Sequence, residues 1–419
     1  MIRVPEGWEI KPLKSIGTCK NGLTYSPDDI VENGGLLVLR SSNIQNSQIA
    51  LEDNVFVRED IKLNYKVQEN DILVCVRNGS KDLIGKNALI TKEVENMAHG
   101  AFMTVFHSNI NKYVFQIFQS DLFFKQVEKN LGATINSINN SDLLLFEFPF
   151  PKEKKEQEKI AKILSTLDNA IESTNRIIEK EKNIKTALMQ ELLTNGIDKN
   201  GQIRTPQTHT YKQSELGLIP DEWEVVDLEK ISKLITDGSH FSPEAIADSE
   251  YKIINVKDLK FDNINFQTTA SITKEDYEIL CNNGCSPKQN DILLSKDGTI
   301  GKVQVYLEKK QCVLLSSIAI IRLKNDFNPD FYKHYLRSFY FDTQLFGLRS
   351  GSALSRIILR DIRKLKVLFV DLEEQKQIAK ILTTQDKKIE REETNLSKLK
   401  ELKKGLMNDL LSGVVRVKV

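Results

Sequence analysis

At 419 residues, 40% hydrophobic and 7% aromatic, the chain has length for two or three globular domains. A net charge of +1 argues against a protein that coats nucleic acid by charge alone. No run of about 18 apolar residues exists to cross a membrane. The start, Met1-Ile2-Arg3-Val4-Pro5-Glu6, lacks an apolar signal core, so no secretion is expected. Five scattered cysteines (Cys19, Cys75, Cys281, Cys285, Cys312) fit a reducing cytoplasm.

In chain order, Val4-Pro5-Glu6-Gly7-Trp8-Glu9-Ile10 reads as a turn followed by a strand with Trp packed inward. Asn21-Gly22 is a turn dipeptide, and Leu36–Ile44 reads as a strand running into a polar loop. Asn70-Asp71-Ile72-Leu73 opens a further strand, which gives way to Arg77-Asn78-Gly79-Ser80. A strand at Ala101–His107, helix over Lys112–Asn130, a glycine loop at Gly132 and a last strand at Phe146–Phe150 complete a mixed α/β unit, residues 1–152. Residues 153–195 then form a long helix, opened by Glu156-Gln157-Glu158-Lys159-Ile160-Ala161-Lys162-Ile163-Leu164 after Pro151. Its apolar residues Ile160, Ile163, Leu167, Ala170, Ile177, Ile184 and Leu188 recur in steps that suit a coiled-coil stripe.

Residues 196–214, rich in Asn, Gly, Gln and Thr, read as a linker, after which the series repeats. Pro220-Asp221-Glu222-Trp223 answers Pro5-Glu6-Gly7-Trp8, Asp237-Gly238 answers Asn21-Gly22, and Asn290-Asp291-Ile292-Leu293 answers residues 70–73. Lys296-Asp297-Gly298-Thr299, set against residues 77–80 by their glycines, follows; then come a strand at Val313–Arg322, helix over Pro329–Phe346, a loop at Gly351 and a strand at Leu365–Val370. The second α/β unit spans 215–370. The second long helix, 371–413, opens Glu374-Gln375-Lys376-Gln377-Ile378-Ala379-Lys380-Ile381-Leu382, with stripe residues Ile378, Leu382, Ile389, Leu396, Leu399, Leu406 and Leu410 and a tail at 414–419. Glu181 and Glu392 sit as polar breaks in the two seams. A helix of about 40 residues must bury its stripe, and its own copy is the simplest partner. The expected fold class is α+β: two mixed α/β units alternating with two long helices paired antiparallel, with an internal pseudo-two-fold.

Motifs for chemistry fail in turn. Gly79 to Gly85-Lys86 is one residue too long for a phosphate loop and ends in Asn87. Asn328-Pro329-Asp330-Phe331 lacks the second proline of an amino-methyltransferase tetrapeptide and reads as a helix cap. Cys281 and Cys285 have no second Cys/His pair, so no metal site is expected, and no catalytic residue is assigned.

The duplicated helix openings, the Asn-Asp-Ile-Leu copies and the ends Leu192-Leu193-Thr194-Asn195 and Leu410-Leu411-Ser412-Gly413 together resemble the specificity subunits of type I restriction–modification enzymes. The resemblance implies that each α/β unit is a target-recognition domain reading one half of a bipartite double-stranded DNA site. The helices would set the spacer and dock two modification subunits that methylate adenine with S-adenosylmethionine. Restriction subunits using ATP and Mg2+ would add to that core, and this chain would bind no cofactor. On the helices, Gln157, Ile160, Leu164, Gln375, Ile378 and Leu382 are the expected partner-binding residues. A coiled-coil scaffold with two peptide-binding domains is the alternative. A methyltransferase would need a cofactor loop and tetrapeptide that are missing.

Base edges call for Arg, Lys, Asn, Gln, Ser or Thr on loops after strands. That points to Arg40, Ser41, Asn43, Arg77, Asn78, Ser80 and Lys81 in the first unit. In the second it points to Lys257, Lys296, Asp297, Thr299, Ser352, Ser355 and Arg356. Residues 1–150 carry 15 Lys+Arg against 18 Asp+Glu, and 206–370 carry 22 of each, so phosphate contacts need clustered cations or a partner. Arg349, Arg356, Arg360, Arg363 and Lys364 are the densest basic stretch.

Overall fold

The computed structural model describes residues 4–32, 34–61, 63, 65–131, 136–260, 263–347 and 356–418. It divides into two compact units: Met1–Arg176 with Thr394–Val419, and Ile177–Glu393. Each long helix runs 41 residues, Lys154–Thr194 and Leu372–Ser412, and contributes one part to each unit. At the second helix start, Asp371 Oδ1 accepts the Glu373 amide at 2.9 Å, satisfying an end donor that the helix itself cannot.

The two α/β parts share one topology. In the first unit, Thr18–Asn21, Met103–His107, Ile72–Cys75 and Asn87–Leu89 form an antiparallel sheet in that spatial order. In the second, Ser232–Asp237, Ile318–Leu323, Ile292–Ser295 and Val303–Val305 do the same. A smaller sheet with one parallel pair accompanies each: Ala98–His99 beside Leu36–Leu39, and Cys312–Leu314 beside Lys252–Ile254. The expected strand over Val313–Arg322 is therefore two strands, broken by the turn at 315–317. The strand after each Trp pairs with the strand before each long helix, Trp8–Pro12 with Glu147–Pro151 and Glu224–Asp227 with Lys366–Phe369.

The Asn-Asp-Ile-Leu copies have a structural reason. Asn70 and Asn290 take the left-handed conformation (φ 67° and 71°), which Asn tolerates better than most side chains. Asp71 and Asp291 are then buried, each closing the turn by accepting a backbone amide, from Gln68 at 2.9 Å and Lys288 at 2.7 Å. The other charge partner differs: His107 Nδ1 lies 2.7 Å from Asp71, whereas Arg322 donates twice to Asp291 at 2.8 and 2.6 Å.

Helix pairing is antiparallel within each unit. In the first, Asp168 pairs with Lys403, and Ile160, Leu164, Met407 and Leu410 join the core around Trp8, Phe148 and Phe150. In the second, Lys185 meets Asp386 at 2.5 Å and Lys182 meets Glu393 at 2.6 Å, while Ile378 and Leu382 pack with Leu192, Leu193 and Trp223. The buried and half-buried seam of the first helix runs 160, 164, 167, 171, 174, 178, 181, 185, 188, 192. The expected stripe had instead passed through Ile177 and Ile184, which are exposed. Apolarity misled here, because the seam carries polar residues that are satisfied: Gln385 Nε2 donates to the Glu181 carbonyl at 3.0 Å. The second helix follows its expected stripe, with Gln385 buried among the apolar positions.

The linker is more built than its composition indicates. Tyr211–Ser214 pairs with Gly217–Pro220, and Arg204 is buried. The expected helices each break in two, at Asn111–Phe118 and Asp121–Asn130, and at Pro329–Tyr335 and Phe339–Gly347. Asn328 caps the third of these, accepting the Phe331 amide at 2.9 Å ahead of Pro329.

His334, on that helix, is fully buried, with Nε2 3.2 Å from Thr383 Oγ1 and Nδ1 3.9 Å from Asp386. Burial, then the charges of Lys333, Lys185 and Arg337, hold its pKa well below the ordinary value. The unfolded chain takes up this proton near pH 6.5 and the folded chain refuses it. Stability from His334 is thus complete at neutral pH and falls as pH drops below about 6.5. His334→Gln is expected to flatten part of that acid dependence in urea melts; an unchanged pH profile would remove His334 as its source.

Candidate nucleic-acid interface

Loops at one end of each main sheet come together. In the first unit, Leu23 pairs with Gly100, and the Leu23 amide donates to His99 O at 2.6 Å. In the second, Ser239 pairs with Leu315, and its amide donates to Leu314 O at 2.7 Å. The approach explains Asn-Gly and Asp-Gly: a Cβ on Gly22 would lie 2.1 Å from Gly100 O, and one on Gly238 2.1 Å from Leu314 O. Glycine is needed for contact with the neighbouring loop.

A second loop pair joins the first. Asn78 Nδ2 donates to Ser41 Oγ at 3.2 Å, and Lys86 Nζ to the Ser41 carbonyl at 3.2 Å. The Ile138 amide donates to Val76 O at 2.8 Å, and Asn136 Nδ2 to Gly79 O at 3.0 Å. The matching cation in the second unit, Lys302, donates to the carbonyls of Val256 at 3.0 Å and Leu259 at 2.8 Å. There the Ile357 amide donates to Lys296 O at 2.7 Å, and Asp297 pairs with Arg356. Lysine posts in equivalent places thus hold the loops after the strands against one another.

Most of the expected readers of the first unit lie on this face. Arg77, Ser80 and Lys81 are exposed, and Ser41 and Asn78 are half-buried. Arg40 is already engaged, 3.0 Å from Asp53. Asn43 is a correction: it is fully buried, its Nδ2 donating to Ala50 O, Asp53 O and Asn54 Oδ1 and its Oδ1 accepting the Arg40 amide. Its hydrogen-bonding groups are spent on the loop.

In the second unit Lys257, Thr299 and Arg356 are exposed and Asp297 is half-exposed, 3.8 Å from Arg356. Ser352, Ser355 and Arg349 fall outside the described residues. Of the other basic-stretch residues, Arg363 donates to Ile235 O at 2.8 Å and Arg360 lies 3.5 Å from Asp361.

Lys296 is the second correction. Only 1% of its side chain is exposed, and Nζ lies 3.0 Å from Asp237. Matching the loops by their glycines had set Lys296 against Arg77, but the ladder sets it against Val76. The Val76 amide donates to Phe102 O and the Lys296 amide to Ser317 O, while Ile138 and Ile357 donate back to their carbonyls. Position 297, an aspartate, is therefore the counterpart of Arg77. An arginine offers hydrogen-bond donors and an aspartate acceptors, so at this one position the two loops present opposite hydrogen-bonding polarity.

The expected partner-binding residues are also relocated. Ile160, Leu164, Ile378 and Leu382 are fully buried in the chain's own cores. Gln157 and Gln375 donate to Pro151 O and Val370 O, each at 2.7 Å, tying strand to helix. The large apolar residues left exposed on the two long helices are Ile177, Ile184, Ile381 and Leu402. Sequence reasoning also missed the loop-tying Asn136 and the Lys86 and Lys302 posts; only the repeated Ile-Gly-Lys tripeptide pointed to the last two. No group of three or more His, Cys, Asp or Glu among the described residues could hold a metal ion, and no helix among them is long and apolar enough to cross a membrane.

Comparison with known proteins agrees with this architecture. A family model described as the type I restriction modification DNA specificity domain matches residues 5–182 and again 220–401. The type I restriction enzyme MjaX specificity subunit of Methanocaldococcus jannaschii is 30% identical, over 99% of this chain and 95% of its own. The MjaVIII specificity subunit of the same organism is 27% identical, over 100% and 95%. The crystal structure of a type I restriction-modification S subunit from M. genitalium has the same fold, with a TM-score of 0.63 at 18% identity over 98% of this chain and 96% of its own. With its specificity domain matched twice and relatives aligned almost end to end, the chain belongs to the specificity subunits of type I restriction–modification enzymes, the non-catalytic subunits that set DNA specificity.

Proposed function

We propose that each unit reads one half of a bipartite double-stranded DNA site through the loop cluster at the end of its main sheet. The observation that carries this is a constant scaffold under a changed face. Asp71 and Asp291, Lys86 and Lys302, and both strand ladders recur, while the exposed Arg77 is exchanged for the half-exposed Asp297. A scaffold kept while its exposed polar groups change is what two readers of unlike half-sites need. Residues 1–152 and 215–370 act as the target-recognition domains, and the helices set the spacer between half-sites.

The contact set is Arg77, Asn78, Ser80, Lys81 and Ser41 in the first unit and Asp297, Thr299, Lys257 and Arg356 in the second, with Ser352 and Ser355 beside them in sequence. Modification subunits carrying S-adenosylmethionine dock on the helices, where exposed Ile177, Ile184, Ile381 and Leu402 offer apolar contacts. ATP and Mg2+ belong to restriction subunits that join the same assembly, in the cytoplasm.

The test is methylation mapping with the chain and its modification subunits expressed together. The wild type is expected to methylate adenine at a two-part sequence. Arg77→Ala is expected to relax one half alone, at a cost of about 1–3 kcal/mol in binding. Wild-type rate and sequence in that variant would remove Arg77 from the interface, and methylation at an undivided site would overturn the two-reader account.

A further inference from the structure

The paired loops of each unit also carry one exposed phenylalanine, and from opposite members of the pair. In the first unit it is Phe102, 57% exposed, on the loop that follows Gly100. In the second it is Phe241, 64% exposed, on the loop that follows Gly238 and Ser239. The ladder sets Phe102 against Ser317, and counting two residues on from the matched Leu23 and Ser239 sets Phe241 against Tyr25, a half-buried ring packed on the first unit's own core.

Both rings stand on fixed backbone. The Phe102 carbonyl accepts two amides, Val76 at 3.0 Å and Arg77 at 3.1 Å. Phe241 is clasped by the buried Ser239, whose Oγ accepts the Phe241 amide at 3.0 Å and donates to its carbonyl at 2.6 Å. The guanidinium of Arg77 lies 5.9 Å from the centroid of the Phe102 ring, placing a cation and an apolar plane side by side on the reading face. Beside Phe241, His240 lies 3.6 Å from Asp237. Single exposed apolar residues are common on any surface. Two that are pinned at their backbones, on the same loop pair of two independently diverged units, are a shared feature of those faces.

We propose that Phe102 and Phe241 are specificity-determining residues, each pressing its ring against the apolar surface of a base in its own half-site. A thymine methyl or the plane of a partly unstacked base presents that surface. Polar loop residues supply hydrogen bonds, and the ring supplies the contact that a hydrogen bond cannot make. This rests on the two-reader account above and adds to it which side chain meets the apolar part of the site.

The experiment uses the complex of the full chain with its modification subunits. Phe102→Ala is expected to lower methylation of the native site by about ten-fold and to relax one position in one half-site. Phe241→Ala is expected to do the same in the other half, and Phe102→Tyr to recover most of the loss. Both rings are exposed, so the thermal melts of the variants should match the wild type. Wild-type rate and sequence in both alanine variants would overturn the proposal, as would equal loss in both halves from either one. A wild-type complex that methylates no bipartite site would instead overturn the two-reader account itself.

Discussion

Arg204→Ala is expected to destabilise the second unit by about 3–5 kcal/mol, read in urea melts of the full chain. The residue lies in a stretch whose composition reads as linker, where a substitution would ordinarily change stability by less than about 0.5 kcal/mol. In the structure its guanidinium is buried against Glu374, with Nη1 to Oε1 at 2.5 Å and Nη2 to Oε2 at 3.0 Å. The same carboxylate accepts the Trp223 indole at 3.2 Å and the Ile197 amide at 2.9 Å, and Glu222 lies 3.1 Å from Arg204 Nε. Removing the arginine leaves a buried carboxylate with two neutral donors, and the uncompensated charge is the source of the loss. Arg204→Met with Glu374→Leu removes both charges and is expected to recover much of the stability. Wild-type melting in Arg204→Ala would show that the pair carries no net stabilisation.

The first unit builds the same clasp from the far end of the chain. Arg416 donates to the buried Glu156 at 2.6 and 2.8 Å and to the Glu6 carbonyl at 2.6 Å, with its guanidinium 6.0 Å from the Trp8 ring. The repeated Glu-Gln at the helix openings therefore has a job at each residue. Glu receives an arginine from the segment that follows the other helix, and Gln ties the preceding strand.

Local rules made the duplication, the helix spans, the inward Trp residues and the Asn328 cap legible. The arginines were not, because Arg204 and Arg416 meet their glutamates across 170 and 260 residues and no local pattern marks them. The first seam was misread for a related reason: Glu181 and Lys185 occupy it with partners on the second helix, and period-finding favours apolar Ile177 and Ile184. The candidate readers were legible as loops after strands, but burial was not. Asn43 and Lys296 have side chains typical of base contacts and spend them inside the fold. Aligning glycines hid the latter, since the first copy has an insertion before its Ile-Gly-Lys.

Lys296→Ala is expected to act on stability, with a loss of about 3–5 kcal/mol in the second unit, because it strands the Asp237 carboxylate under the reading loops. A base-reading lysine would behave otherwise: its removal would leave the melt unchanged and cost about 1–3 kcal/mol in DNA binding. The two outcomes separate in one pair of measurements, a urea melt and the methylation rate at the native site. The first unit supplies the control. It fills the equivalent positions with buried Val76 and exposed Asn21, so a neutral pair is compatible with this loop geometry. Lys296→Val with Asp237→Asn should therefore melt close to wild type and keep the sequence read by the second unit, which depends on Asp297 and its neighbours. Asp297→Ala, on the open side of the same loop, should leave the melt in place and relax that half-site. A stable Lys296→Ala with lost sequence discrimination would return Lys296 to the contact set, against the burial that the fold assigns to it.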